Sequence, residues 1–110
     1  MVDAFWTVAF ESNFGLSGTG VAVFQNGKVF GGDAAMTYLG NYTTADGQIF
    51  AEVKVDKYAT APSTMSVVGL DHFTLKAGGL ASERNLVLSG YVAGDPNRKI
   101  SITASRCAEL

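Results

Sequence analysis

The sequence predicts an all-β protein, a single domain over residues 1–110 that closes as an eight-stranded antiparallel up-and-down β-barrel. Apolar and polar side chains alternate along most of the chain with the period of a β-strand, and helical spacing is hard to find. Asn-Gly and Asp-Gly pairs between apolar segments are typical of two-residue hairpin turns. Because most connections are short, consecutive strands are expected to pair as a meander, and closure removes its exposed edges.

Each predicted strand follows from alternation bounded by a turn signal. Asn26-Gly27 and Asp46-Gly47 tolerate positive φ and separate the second strand from the third and the fourth from the fifth. Gly94-Asp95-Pro96-Asn97 is a strong turn signature before the last strand. The predicted strands cover residues 4–12, 18–25, 28–32, 36–43, 48–58, 71–77, 86–93 and 99–107.

Small residues recur on the predicted inward face. If Trp6, Val8 and Phe10 of the first strand point inward, the other strands contribute Gly20, Ala22, Met36, Gly40, Ala51, Gly90 and Ala104. Small residues permit the sharp coiling that closure demands, or they leave room for one small ligand, and both explanations stay open. The ligand cavity is predicted to be lined by Trp6, Val8, Phe10, Ala22, Met36, Ala51 and Val53.

Two further apolar features lie outside this inward set. The second and seventh strands are apolar on both faces, so Val21, Val23 and Val87 are predicted to form a homodimer interface, with scattered surface apolar residues as the alternative. The long connection at residues 59–70 keeps apolar residues, and we expect Met65, Val67 and Val68 to pack over or into one end of the barrel.

Composition and chemistry exclude several classes of protein. The net charge is −2 and the eight basic residues are scattered, which argues against nucleic-acid binding. Cys107 is the only cysteine, and without a predicted signal peptide or membrane span the expected location is the cytoplasm. His72 cannot be oriented by Asp71, because neighbours in a strand point to opposite faces. No catalytic, metal or cofactor site is predicted, and Asp33 is interpreted as a turn cap.

A resemblance to a known family rests on motifs in the first half of the chain. In order, these are F-E-S-N at residues 10–13, Gly18-x-Gly20, Asn26-Gly27, G-G-D at residues 31–33 and Tyr38-x-Gly40. With these motifs the sequence resembles the GrlR family. These are small negative regulators from the type III secretion locus of attaching-and-effacing enteric bacteria.

This resemblance implies a lipocalin-like (calycin-type) barrel with an apolar cavity, a plug-like loop and dimerisation through hydrophobic contacts. It also implies repression by binding a transcriptional activator rather than DNA. The family's activator contact is an acidic Glu-Asp-Glu-Asp run in a hairpin, whereas the corresponding turn here, Thr44-Ala45-Asp46-Gly47, keeps one carboxylate. The expected function is a dimeric bacterial regulatory module acting by protein contact. The alternative is an intracellular carrier or sensor of a small apolar ligand.

Overall fold

A computed structural model describes residues 2–60 and 66–110, which form one closed barrel. Its strands are β1 Ala4–Ser12, β2 Ser17–Gln25, β3 Lys28–Gly32, β4 Met36–Ala45, β5 Gln48–Lys57, β6 His72–Ala81, β7 Asn85–Val92 and β8 Asp95–Ala108. Each strand pairs antiparallel with the next, and β8 pairs with β1 to close the ring. The predicted all-β, eight-stranded, lipocalin-like architecture is confirmed.

Both predicted two-residue hairpin turns are present. Asn26 and Gly27 have φ values of 51° and 79°, and Asp46 and Gly47 have values of 53° and 76°. Positive φ at both central residues is the requirement of a type I′ turn, whose twist matches that of the flanking strands. The β2–β3 and β4–β5 connections are therefore encoded locally.

Two strand boundaries, the end of β6 and the start of β8, differ from the predictions by four residues, and the others agree within two. β6 continues to Ala81, because glycine at position 79 allows a very close approach to β7: a Cβ there would lie 2.0 Å from the Val87 carbonyl oxygen. β8 begins at Asp95, and its register with β7 shifts by three residues, so that residues 96–98 form a bulge. A bulge accommodates Pro96 because the missing N–H is not needed for the ladder.

The glycines of the inward face serve curvature. A Cβ at Gly31 or Gly40 would lie 2.2 Å from a backbone carbonyl oxygen of the neighbouring strand, and one at Gly90 would lie 2.3 Å away. Real Cβ atoms cannot approach backbone so closely, so these positions let adjacent strands coil tightly. Gly18 makes space for the ring of Phe10, whereas a Cβ at Gly20 would lie 2.8 Å from both the Gly32 carbonyl oxygen and the Tyr38 hydroxyl oxygen.

Candidate functional site

The barrel encloses a cavity of about 270 Å³. Its walls are mostly aliphatic and aromatic, and five of the predicted cavity residues lie in them: Val8, Phe10, Met36, Ala51 and Val53. Their place follows from the strand pattern, since alternate residues of one strand face the interior. The cavity is therefore lined by residues that the alternation of apolar and polar side chains placed on the inward face.

Two predicted cavity residues do not line it. Trp6 is fully buried, its Nε1 donates to the Val2 carbonyl oxygen at 2.9 Å, and its ring meets the edge of Phe24 at 6.3 Å. Ala22 is the direct partner of Trp6 on the neighbouring strand and is buried as well. Both residues face inward as predicted, but at a depth where the Trp6 indole fills the barrel. The prediction was wrong about depth and right about face.

The filled end of the barrel is closed by the N-terminal segment. Tyr42 packs against Phe24, and its hydroxyl donates to Asp3 Oδ1 at 2.5 Å. The backbone N–H of Asn26 donates to Asp3 Oδ2 at 3.2 Å. The Tyr42 bond, followed by the Asn26 bond, lowers the pKa of Asp3, while burial and then the Asp3 bond raise the pKa of Tyr42 to about 12. This polar pair ties the start of the chain to β4.

Asp33 and Tyr38 form a polar pair in the wall of the cavity. Asp33 Oδ1 accepts hydrogen bonds from the backbone N–H groups of Ala35 and Met36, both at 2.8 Å, which confirms the predicted turn cap. Its other oxygen, Oδ2, accepts the hydroxyl proton of Tyr38. Burial, and then this hydrogen bond, raise the pKa of Tyr38 above its ordinary value, so the phenol remains a proton donor at neutral pH.

Residues 66–70 contribute apolar side chains to the core, as predicted. Val68 is fully buried and Val67 is 9% exposed, and Val67 also lines the cavity. The Arg98 guanidinium donates to the Val68 carbonyl oxygen and, through Nε, to Asp95 Oδ2 at 2.8 Å. The prediction is confirmed for both valines, and Met65 lies outside the described residues.

The predicted interface residues fall on two separate outer surfaces. On the first, register places Phe5 opposite Val23, Val23 opposite Phe30 and Phe30 opposite Leu39, so that one apolar row crosses four strands. We call this row, together with Val21, the β1–β4 surface. Phe30 and Leu39 are about half exposed, at 49% and 50%, and Val21 is 42% exposed.

Val87 belongs to the second surface. It is 54% exposed and lies opposite Leu80, which is 65% exposed. We call this pair the β6–β7 surface. Going round the barrel through β1 and β8, β7 is three strands from β2, or roughly 14 Å along the sheet at the usual strand spacing. Val21, Val23 and Val87 therefore do not form one continuous patch.

His72, the single histidine of the sequence, lies on the outer surface of the barrel. His72 is exposed, with Nδ1 3.0 Å from Oδ1 of Asp56, its direct partner across β5 and β6. Sequence reasoning considered only the chain neighbour Asp71, because the long connection between β5 and β6 carries no turn signal that would fix their register. Within residues 2–60 and 66–110 there is no group of three His, Cys, Asp or Glu side chains arranged to hold a metal. In the same ranges no helix has the length and apolar character to cross a membrane.

No protein-family model and no curated protein sequence matches this chain. The function must therefore be inferred from the geometry of the barrel itself. That geometry offers an interior cavity with one polar pair and two outer apolar surfaces.

Proposed function

We propose that this protein is a non-enzymatic, homodimeric barrel that regulates by contact with other proteins, as the GrlR resemblance implies. The observation that carries the proposal is the β1–β4 surface. Its apolar side chains lie directly opposite one another on adjacent strands and are not scattered singly. Contiguous exposed apolar surface marks sites of protein contact more often than isolated apolar residues do.

A closed barrel constrains how such contact can occur. Because β8 pairs with β1, the barrel presents no free strand edge to which a partner could add a strand. A partner must dock on an outer face, where side chains supply the interaction. A two-fold dimer places the same face of both subunits in one interface, which makes the β1–β4 surface a self-complementary candidate.

Burial of the β1–β4 surface supplies part of the free energy that a dimer needs. Val21, Phe30 and Leu39 are about half exposed, so completing their burial contributes roughly 1 kcal/mol each. Two subunits then gain about 6 kcal/mol, against an association cost of about 4–15 kcal/mol. Phe5 and Val23 add smaller amounts. These apolar residues alone meet only the lower part of the cost, so a dimer that persists at high micromolar concentration must also bury the surface around them.

The proposed heterologous partner is a transcriptional activator or another regulatory protein in the bacterial cytoplasm. The β4–β5 turn carries a single carboxylate, Asp46, where the family has an acidic run. We therefore expect partner binding to depend on apolar contacts and to weaken little as salt increases, because salt screens exposed charges far more than apolar burial. We propose no direct nucleic-acid binding and no cofactor.

Analytical ultracentrifugation with matched double variants tests the proposed interface. Phe30→Lys/Leu39→Lys should yield monomers, because it places two charges in the β1–β4 surface. Leu80→Lys/Val87→Lys makes the same change to a directly paired couple on the β6–β7 surface and should remain dimeric. A wild-type protein that sediments as a monomer at high micromolar concentration would refute the dimer. If only Leu80→Lys/Val87→Lys becomes monomeric, the interface lies on the β6–β7 surface.

The cavity favours a second candidate function, a carrier or sensor of a small apolar ligand. Its volume of about 270 Å³ is roughly twice that of an engineered apolar cavity that holds benzene. Isothermal titration with naphthalene tests this function. Ala51→Leu should abolish binding, because it places three additional carbon atoms inside the cavity wall. Undetectable binding of naphthalene to the wild-type protein would contradict the carrier function.

A further inference from the structure

We propose that the cavity selects an apolar molecule carrying one neutral hydrogen-bond donor, a hydroxyl group, and that Asp33 and Tyr38 receive this group. The inference rests on the second candidate function, uptake of a ligand by the barrel. It concerns what distinguishes one apolar ligand from another. The apolar walls contribute affinity but do not orient the ligand, whereas the polar pair fixes the orientation of the ligand and distinguishes one ligand from another.

The charge of the cavity wall excludes an anionic ligand. Asp33 is the only charged residue among the described residues that line the cavity, and no Lys, Arg or His joins it there. An anion that entered would lose its hydration without gaining a cation, and it would lie near a carboxyl group. A fatty acid or another carboxylate is therefore a poor match for this interior.

The remaining hydrogen-bond capacity of the pair is that of an acceptor. Asp33 Oδ1 already accepts two backbone N–H groups, but Oδ2 accepts only the Tyr38 proton. A carboxylate oxygen has room for about two such bonds, and a phenol oxygen that has donated its proton can still accept one. A ligand hydroxyl supplies the donor that both oxygens lack.

The pair is held in place before any ligand arrives. The turn at residues 33–36 fixes the Asp33 carboxyl group through the N–H groups of Ala35 and Met36. The hydroxyl of Tyr58 donates to the Asp33 carbonyl oxygen at 2.6 Å and anchors the same residue from another side. A preorganised acceptor loses little conformational entropy when a ligand binds. The hydrogen bond to the ligand hydroxyl therefore contributes to affinity almost in full.

The other hydroxyl groups in the wall do not compete for this role. Ser66 Oγ donates to the Leu70 carbonyl oxygen and accepts from the Leu70 N–H at 3.0 Å. Ser17 and Thr19 are exposed to solvent, where water satisfies them. Asp33 and Tyr38 are partly buried and remain the polar groups directed at the interior.

Three probes that share the naphthalene ring system separate this selectivity from simple uptake. Naphthalene, 1-naphthol and 1-naphthoate are titrated into the full chain at neutral pH by calorimetry. One hydrogen bond typically changes affinity by about fivefold, so 1-naphthol should bind about fivefold more tightly than naphthalene. 1-Naphthoate should bind at least about tenfold more weakly than 1-naphthol. Equal affinity for all three probes would overturn the selectivity while the carrier function survives. No binding of any probe would overturn both.

Substitution of the acceptor gives the second test. Asp33→Asn keeps an oxygen that can cap the turn but removes the charge and introduces N–H donors. It should reduce the preference for 1-naphthol over 1-naphthoate to about twofold or less, with naphthalene affinity unchanged. Asp46→Asn, the same change in the β4–β5 turn, should retain the wild-type preference. If Asp33→Asn unfolds at a markedly lower temperature than wild type, Tyr38→Phe takes its place. It should lower the affinity for 1-naphthol and leave the affinities for naphthalene and 1-naphthoate unchanged. A folded variant of Asp33 or Tyr38 with wild-type selectivity would overturn the proposal.

Discussion

Two adjacent glycines in β6 are expected to differ strongly in the cost of the same substitution. A Cβ at Gly79 would lie 2.0 Å from the Val87 carbonyl oxygen and 2.9 Å from the Leu88 Cα, both of them backbone atoms of β7. The atoms closest to a Cβ at Gly78 belong to the Phe50 ring, at 2.9 Å, and that side chain is 53% exposed; the Ile49 carbonyl oxygen lies at 3.5 Å, an ordinary contact. The ring can rotate towards solvent, whereas the β7 backbone cannot move without breaking the ladder.

The expected cost of Gly79→Ala is about 3 kcal/mol. To relieve the contact, β6 and β7 must separate by roughly 1 Å, as strands do when a core is overpacked. This separation breaks two or three ladder hydrogen bonds at about 1 kcal/mol each. Gly78→Ala should lie within about 0.5 kcal/mol of wild type, since a moderate displacement of the ring is offset by the lower entropy of the unfolded chain.

Urea unfolding followed by far-ultraviolet circular dichroism measures both variants against wild type. Gly79→Ala should shift the midpoint to markedly lower urea with little change in slope, as expected when stability alone changes. Equal stability of the two variants, or a loss below about 1 kcal/mol for Gly79→Ala, would refute the argument that this glycine is required for close strand approach.

Further outcomes follow from the β1–β4 surface, the filled end of the barrel and residues 66–70. Val21→Lys/Val23→Lys should produce monomers with unchanged β-rich circular dichroism, and a dimer of this variant in sedimentation would contradict the proposed surface. The raised pKa of Tyr42, about 12, favours the protonated phenol in the folded state, so its stabilisation is present below about pH 10 and is lost as pH rises towards 12; Tyr42→Phe should show a smaller alkaline loss in urea melts. The lowered pKa of Asp3 acts in the opposite direction, with stabilisation present above about pH 4 and lost as pH falls; Asp3→Asn should flatten the acid limb. Arg98→Ala should accelerate amide hydrogen exchange at residues 66–70 and leave the strands protected, and unchanged exchange there would exclude a fastening role.

The sequence was sufficient for features that are determined locally. Asn26-Gly27 and Asp46-Gly47 encode their turns through φ preferences of single residues, and the Asp33 cap involves backbone groups two and three residues away. Alternation likewise identified which side of each strand faces inward, and the cavity positions of Val8 and Ala51 follow from it.

Depth along the barrel could not be predicted in the same way. Whether Trp6 lines a cavity or fills an end depends on Val2, whose carbonyl oxygen accepts a hydrogen bond from the indole, and on residues far along the chain. The separation of Val23 and Val87, by contrast, follows from the predicted meander, because closing eight strands into a ring leaves three strand steps between the second strand and the seventh. Glycine was ambiguous for a related reason, since it can mark either a loop or a close strand contact, as at Gly79.

The pairing of β1 with β8 has a consequence for how the protein is made. The register joins Phe10 to Ile102 and Trp6 to Arg106, so the seam of the barrel links residues about a hundred positions apart. During synthesis β1 leaves the ribosome well before β8. One edge of β1 pairs with β2, and the other stays unpaired until β8 has been made. Until then the nascent chain exposes two unpaired strand edges beside strongly apolar segments, the condition under which chains associate with one another. Slower translation of the segment that encodes β7 and β8 should therefore lower the yield of folded protein more than a comparable delay within the earlier strands.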